Sequence, residues 1–430
     1  MTTTPVHKPE RKRLQTFRAL RHRSYFLLWI SLIVSSIGTW MQIVAQSLLV
    51  LKLTGSPLAL GAVSLAQASS FFLFALIGGS VADKIDKRRF LLVTQSLSML
   101  LAFLLGILTI TGTIQVWMII LLAFCSGTIL SFDQPSRSAL VPILVPKEDL
   151  MNAISLQSIV FNGSAFIGPA LAGVMIGVFA AFGPKIGING PLFRYAGNFF
   201  LNGFSFLGVL FVLYLIQVPE AALEQAVDKK GPLLASVQAS LKVIGRDSAL
   251  PWILSGYGAM LFFGPSTSLI LPVFATGILH LQPTQLGLLF SASGLGVILG
   301  ALAVASLGDF QRKGLLLLGS FLLWSLSLLA FALSQNLWLS MLALLFVGIG
   351  QNGIGATTIT LMQTRVPPQM RGRVMSLNTL MIMGVRPLGD FPASAAISAI
   401  GGPYTVIISA AIVGGYTLFL LLARPAIRQI

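Results

Sequence analysis

The chain has 430 residues, of which 55% are hydrophobic and only 9% are charged. Soluble domains usually carry about 25% charged residues, so the composition excludes a soluble globular protein and indicates a chain that crosses a membrane many times. The formal net charge of +16 does not predict a nucleic-acid partner, because most of the bases lie on one side of long apolar runs, in the two termini and in short connecting segments.

Twelve apolar runs are long enough for membrane-spanning helices of about 20 residues. The sequence therefore predicts an all-α membrane protein with twelve transmembrane helices. The predicted spans are Tyr25–Leu51, Leu58–Ala82, Phe90–Thr111, Val116–Leu140, Leu150–Phe182, Phe193–Val218, Leu250–Leu281, Leu286–Leu307, Leu315–Ser334, Leu337–Met362, Val374–Ile400 and Pro403–Ala423.

Lys and Arg residues fall almost entirely on one side of these spans. The exceptions are Lys52, Lys185, Arg194 and Arg386. Basic segments between spans stay in the cytoplasm, so both termini are predicted to be cytoplasmic, in a multi-pass protein of the inner (plasma) membrane. Anionic lipid is the expected partner of this basic face.

The two halves of the chain resemble each other. Val145-Pro146 recurs as Val366-Pro367, and Gly168 falls on Gly389, each with an offset of 221 residues. This predicts two six-helix pseudo-repeats joined by a connector that carries a surface amphipathic helix over Leu233–Ile244. The predicted units are a basic N-terminus (1–24), a first bundle (25–218), the connector (219–249), a second bundle (250–423) and a tail (424–430).

The connection between spans two and three holds Gly79, Asp83, Lys84, Lys87 and Arg88. This spacing resembles the loop between helices two and three of the major facilitator superfamily. The resemblance implies the twelve-helix fold of secondary transporters and a gating role for these five residues. An ordinary basic cytoplasmic loop is the alternative.

Gln42 and Gln46 share one helical face of span one with Ser35 and Thr39. Because polar groups facing lipid are unfavourable, this face is expected to meet other helices or a water-filled cavity. Residues 38–42, 45–46 and 53–57 resemble the enterobactin-exporter and macrolide-efflux branch of the superfamily. That branch often has an acid at the position of Ser47, so span one lacks the usual proton carrier.

Span four ends with Asp133, Pro135 and Arg137 in an Asp-x-Pro-x-Arg pattern that the same branch carries. Pro135 is expected to kink the helix, and Asp133 and Arg137 can pair across one turn. The resemblance implies that Lys87 meets Asp133 and that Asp83 faces the start of span eleven. An interfacial ion pair without a gating role is the alternative.

Gly168, Pro169 and Gly173 in span five resemble the Gly-Pro-x-x-Gly-Gly motif of exporters in the superfamily, with Ala172 in place of one glycine. The resemblance implies export rather than uptake. Close helix packing through small residues is the alternative explanation.

Arg386 and Asp390 lie within span eleven, four residues apart, and Gln351 and Asn352 lie in span ten. Charged groups at membrane depth are costly and often mark ion or substrate pathways. These residues, with Gln42 and Gln46, are the candidate coupling or substrate site. A self-satisfied structural pair of Arg386 and Asp390 is the alternative.

The sequence thus predicts a monomeric secondary transporter that exports a small amphipathic organic compound, a drug, macrolide or siderophore, in exchange for protons. It has no phosphate-binding loop for ATP, no clustered metal ligands and a single cysteine, Cys125, so no cofactor, metal or internal disulfide is expected. A facilitator or importer remains open. A membrane sensor and an intramembrane aspartyl protease are weaker alternatives, and the expectation is that the protein is not an enzyme.

Overall fold

The part of the chain that the structure describes is built from helices and contains no strand. The computed structural model describes residues 17–84, 86–186, 192–216, 241–308 and 310–430, and within helices it leaves the side chains of 75–84, 186, 368, 369, 372, 373 and 376 undescribed. Eleven segments of this part are long and apolar enough to cross a membrane. A further span, 368–400, is helical in three pieces, so the predicted twelve-helix fold is confirmed.

Each span of the first half is a single helix. These helices are α1 (Arg23–Thr54), α2 (Pro57–Lys84), α3 (Lys87–Ile110), α4 (Val116–Leu144), α5 (Leu150–Phe182) and α6 (Phe193–Leu215). Local signals set their ends. Gly55 ends α1 in the left-handed region at φ 63°, and the Asp86 side chain caps α3 by accepting from Arg88 N.

The second half contains two interrupted spans. Span seven consists of α7 (Leu250–Phe263) and α8 (Thr267–Gly277), and spans eight to ten are α9 (Pro283–Ser306), α10 (Lys313–Leu333) and α11 (Leu337–Arg365). Span eleven consists of α12 (Pro368–Leu380), a π-helical segment (Met381–Val385) and α13 (Arg386–Ile400); α14 (Gly402–Ala423) and the short α15 (Pro425–Arg428) follow.

The predicted span Leu250–Leu281 is present but interrupted. The helix ends at Phe263, and Gly264 adopts an extended ψ of 105°. Pro265 explains the break, because proline pushes the preceding residue out of the helical region and has no N–H to donate.

Span eleven changes helix type just before Arg386. Its π-helical segment covers Met381–Val385, and Pro387 follows two residues later. In a regular α-helix the Pro387 ring would clash with the Met383 carbonyl, and a wider turn relieves that clash. Such π segments are rare and are frequently found at functional sites.

The predicted connector lies mostly outside the described residues, since 217–240 are not described. The last four residues of its predicted amphipathic helix, 241–244, are helical. Ile244 packs with Leu250 and Met362 of the second half, so the end of the connector belongs to the packing of that half.

Among the described residues, the two halves share a hydrophobic core at one end of the molecule. We call the end with the chain termini and most bases the basic end, and the other the closed end. At the closed end one cluster joins Leu48 and Val63 of the first half to Phe274 and Leu286 of the second. At the basic end the described residues of the first half form a cluster of their own. The second half has a separate small cluster there, and the shared cluster reaches this end through second-half residues such as Leu317 and Ile427. The halves therefore meet at the closed end.

Glycines bring α5 and α9 together at this closed end. A Cβ on Gly173 would lie 2.6 Å from the Pro283 carbonyl oxygen, and one on Gly287 would lie 2.6 Å from the Pro169 carbonyl oxygen. Both glycines are therefore needed for the close approach of two helices from different halves. We call this contact the α5–α9 seam.

The predicted internal repeat is visible in helix packing. Gly168 of α5 lies against Ile37 and Trp40 of α1, and its counterpart Gly389 of α13 lies against Phe262 of α7. Each glycine thus packs the fifth span of its half onto the first span of that half.

Gly173→Leu should force the α5–α9 seam apart and shift the protein toward a state open at the closed end. In a Cys125→Ser background, Ser394→Cys reports this opening, because Ser394 is buried against Gly61 of α2. We expect its labelling by a maleimide to become several-fold faster. Gly163→Leu is the control, since a Cβ at Gly163 has no atom within 4 Å. Equal labelling in the two leucine variants would contradict the role of the seam.

Candidate functional site

Asp390 is the buried acid of span eleven, and it bridges to the break in span seven. The Ser266 backbone N–H donates to Asp390 Oδ1 at 2.9 Å. Ser266 immediately precedes α8, so Asp390 takes up a backbone donor that the break exposes. The carboxylate also lies at the positive end of the α8 dipole.

The alternative of an ion pair between Arg386 and Asp390 is not met, because the ion pairs of the described residues, within 4 Å, do not include it. Asp390 has a closer donor in Ser266, which the sequence did not reveal. Arg386 nevertheless lies near enough to interact electrostatically with Asp390 and with Tyr257 of α7. The hypothesis of a self-satisfied pair is therefore replaced by a cluster that spans seven and eleven share.

This cluster lies in the part of span eleven that contacts helices of both halves. Gly384 contacts the Phe72 ring of α2, in the first half, and Gly389 contacts the backbone of Phe262 in α7. Arg386 lies between these contacts and is half-buried. The charges of span eleven are thus held next to the contact between the halves.

Gln42 makes a structural contact. Its Oε1 accepts from Asn202 Nδ2 of α6 at 2.8 Å, and Gly38, one turn earlier, packs on the same asparagine. Gln46 is half-buried one turn further along α1. The polar face of span one therefore serves, at Gln42, to join two helices of the first half.

In span ten, Gln351 and Asn352 are half-buried. Asn352 packs against Gly300 of α9, and its Oδ1 is buried without a hydrogen-bond partner. No hydrogen bond between described residues joins this pair to Gln42, Gln46, Arg386 or Asp390. The structure thus places Arg386 within electrostatic range of Asp390 and joins none of the four amides to either residue by a hydrogen bond.

Asp133 is held by donors from two helices. Its Oδ1 accepts from Thr94 Oγ1 at 2.8 Å and from Gln95 Nε2 at 2.6 Å, and its Oδ2 accepts from Arg137 Nη2 at 2.7 Å. The predicted pairing with Arg137 is present. Pro135 lies inside α4, which continues to Leu144.

The base cluster after span two is arranged differently from the expectation. Lys87 is buried, but the described ion pairs do not join it to Asp133, so that predicted contact is not formed. Arg88 donates from Nε to the Leu213 carbonyl at 2.6 Å and from Nη2 to the Tyr214 carbonyl at 2.5 Å. It therefore caps the C-terminal end of α6. The side chains of Gly79, Asp83 and Lys84 lie outside the described residues.

Several contributors were missed from the sequence. They are Ser266 and Tyr257 at the span-seven break, Thr94 and Gln95 around Asp133, and Asn202 beside Gln42. The Gly264-Pro265 pair could have indicated the break, because glycine followed by proline ends a helix. No comparable signal marks the other residues, since their roles depend on which helices pack together.

Asp390→Leu should lower the free energy of unfolding by about 1–3 kcal/mol, because it leaves the buried Ser266 N–H without its acceptor. Thermal unfolding in detergent measures this loss. Asp390→Asn keeps an acceptor oxygen and should lose less. Adding Arg386→Leu to Asp390→Leu should not restore stability, since the two residues are not an ion pair. Recovery in the double variant would contradict this geometry.

Asp247 stabilises the basic end of the second half in a pH-dependent way. Burial raises the pKa of its carboxyl, but hydrogen bonds from Leu250 N, Ala249 N and Arg365 outweigh burial and hold the pKa below 3.8. A depressed folded-state pKa adds stability above the unfolded-state pKa, and this stability is lost as the pH falls through the folded-state value.

Asp247→Asn should therefore lower the unfolding temperature at neutral pH and flatten its decline below pH 3.8. Unfolding scans across this range measure both effects. Glu148→Gln, at an exposed acid of the basic end, is the matched control and should follow the unmodified protein. Identical pH profiles for the two variants would show that Asp247 makes no such contribution.

Comparisons with known proteins give the family. The sequence matches the family described as transmembrane secretion effector over residues 14–428. It is 25% identical to the staphyloferrin A transporter of Staphylococcus aureus, over 88% of this chain and 89% of that protein. It is 24% identical to the enterobactin exporter of Citrobacter koseri, over 94% and 92%, and 20% identical to macrolide efflux protein A of Streptococcus pyogenes, over 94% and 96%.

The fold is also similar to that of a solved transporter. A bacterial homolog of the human lysosomal transporter Spinster superposes with a TM-score of 0.70 at 13% identity, covering 95% of this chain and 98% of that chain. Since the family match extends over nearly the whole sequence, the chain belongs to the transmembrane secretion effector family of the major facilitator superfamily.

Proposed function

We propose that the protein is a secondary transporter that exports a small amphipathic organic compound, of the siderophore, macrolide or drug type, from the cytoplasm. The observation that carries this proposal is the family match over residues 14–428. Relatives named as a siderophore exporter and as a macrolide efflux protein, each matched over most of its length, support it. The glycine motif of α5 fits export, and its Gly173 forms the α5–α9 seam.

Alternating access follows from the way the halves meet. The distribution of Lys and Arg supports a cytoplasmic location for the basic end and both termini. Because the described residues of the two halves share a core at the closed end, we infer a state that admits substrate from the cytoplasm. Rocking of the halves would open the α5–α9 seam and release substrate outside.

Asp390 is the acid that we propose carries the coupling proton. It is 4% exposed, and a charge buried at membrane depth is stable only beside compensating positive groups. The start of α8 and the nearby Arg386 supply these. Any movement of α13 relative to α8 changes the distance between the Asp390 carboxylate and the positive end of α8. Because this distance affects how readily Asp390 takes up a proton, proton uptake is linked to conformation.

The remaining predicted sites have supporting roles in this proposal. Asp83 and the bases after span two act at the basic end as a gate. Gln46 and Gln351, which are half-buried, offer hydrogen bonds to a polar part of the substrate, whereas Asn352 Oδ1 is buried in this state. The enzyme alternative finds no support, because Asp133 and Asp390 lie in different halves and each binds its own donors.

A facilitator is the second candidate, and one observation favours it. Asp133, the in-span acid of the first half, is occupied by Thr94, Gln95 and Arg137, and Ser47 donates to the Ile43 carbonyl. The first half therefore offers no free acid in spans one or four among the described residues. If Asp390 does not carry protons, substrate would move only down its own gradient.

Reconstituted protein should accumulate a labelled macrolide or catecholate siderophore against its gradient when a pH gradient is imposed. Asp390→Asn should abolish accumulation but retain counterflow exchange, which needs substrate binding and conformational change without net coupling. Ser268→Ala, in the first turn of α8, is the matched control and should keep both activities.

Each outcome separates the alternatives. Counterflow by the unmodified protein without any response to the pH gradient would identify a facilitator. Full accumulation by Asp390→Asn would exclude Asp390 as the coupling acid. Absence of both activities with both probes would contradict the proposed substrate class.

A further inference from the structure

A groove between α9 and α10 opens on the surface of the second half, away from the Asp390 cluster. Its volume is about 410 Å³. The walls and floor are apolar apart from one hydroxyl, that of Ser320, which donates to the Leu316 carbonyl. The groove is therefore suited to a hydrocarbon chain. It is lined by Gly300, Ala303, Val304, Leu307, Phe310, Leu315, Leu316, Gly319, Ser320, Leu323, Ile349 and Gly353.

The groove arises from the packing of three helices. Both α9 and α10 pack along α11, which forms the floor. Gly300 lies against Ile349 of the floor, and Gly353 of the floor lies against Ser320. Gly319 has a different environment, because a Cβ there would have no atom within 4 Å. The missing side chain of Gly319 leaves part of the groove empty.

The groove runs through most of the depth of one bilayer leaflet. Its lining on α10 runs inward from Leu315 to Leu323. Eight residue steps of α-helix rise about 12 Å, and half of a hydrocarbon core about 30 Å thick is about 15 Å. An acyl chain of the leaflet at the basic end would fill this depth.

Basic residues lie at the mouth of the groove. Lys313 and Arg312 lie two and three residues before Leu315, the first lining residue of α10, and the described ion pairs include neither of them. Arg428 is brought to the same end, because α15 docks on α10: Gly314 N donates to the Ile430 carbonyl at 2.8 Å, and Gly314 contacts Ile427. Positive charge thus lies where the lipid phosphates of that leaflet would be.

We propose that this groove is a binding site for one anionic glycerophospholipid, with an acyl chain along Gly319 and the phosphate on Arg312 and Lys313. The apolar lining recognises the chain, and the positive charges of Arg312 and Lys313 select an anionic headgroup. The site lies outside the proposed transport pathway, so it stands whatever the substrate is.

Native mass spectrometry of protein in mild detergent, with phosphatidylglycerol or phosphatidylcholine added, tests the proposal. The unmodified protein should retain phosphatidylglycerol preferentially. Gly319→Leu fills the groove and should reduce retention of both lipids several-fold. Gly415→Leu is the matched control, since Gly415 is also a helix glycine with no atom within 4 Å of a Cβ, and it should behave like the unmodified protein.

Arg312→Gln with Lys313→Gln should remove the preference for phosphatidylglycerol while leaving retention of phosphatidylcholine unchanged. Ala303→Phe fills the groove from the α9 wall and gives a second variant if Gly319→Leu does not fold. Equal retention by the groove-filling variants and Gly415→Leu would overturn the site. Equal retention of the two lipids by the unmodified protein would overturn its selectivity for anionic lipid.

Discussion

A helix cannot be interrupted inside a bilayer unless another group takes up the backbone donors that the interruption exposes. Gly264 and Pro265 interrupt span seven, and Asp390 of span eleven accepts from the N–H of Ser266 just beyond them. The acid and the break therefore depend on each other. Without the break Asp390 would need another partner at membrane depth, and without Asp390 the first N–H of this helix end would lack an acceptor.

Close glycine packing places this interaction within the assembly. Gly389 lets α13 approach the backbone of Phe262, just before the break, and Gly384 lets the same span contact Phe72 of the first half. Cβ atoms at these positions would collide with those neighbours. The polar link between spans seven and eleven therefore depends on small residues as much as on the acid itself.

Most of the fold could be predicted from the sequence, because apolar length and the placement of Lys and Arg follow directly from the thickness and polarity of a bilayer. The predicted start of span six at Phe193 and end of span five at Phe182 agree with the helices. The Gly168–Gly389 correspondence also agrees with the packing.

The candidate site could be predicted only in part. An in-span acid is visible in the sequence, and so is a base four residues away. The partner of Asp390 was not visible, because the choice between Arg386 and Ser266 depends on how spans seven and eleven pack. Arg88 could not be assigned from the sequence for the same reason. The C-terminal carbonyls of α6 that it caps are far away in sequence. Helical periodicity gives the faces of helices but not which faces meet.

The two helices of span seven pack in different places: α7 packs within its own half, and α8 packs in the core that both halves share. The break between them therefore separates a part of span seven that is fixed to one half from a part that joins the halves. At the basic end, α7 is tied to its own half through Leu250 and the neighbouring Asp247–Arg365 pair. Beyond the break, α8 contributes Phe274 to the core that both halves share and packs against α1.

An ionised side chain caps a helix start more strongly than a neutral one, because it also interacts with the helix dipole. In the proposed mechanism, proton uptake by Asp390 weakens the hold of α13 on α8 while α7 stays attached to its half. The proton thus acts at the junction between the part of the second half that closes the outer end and the part that does not.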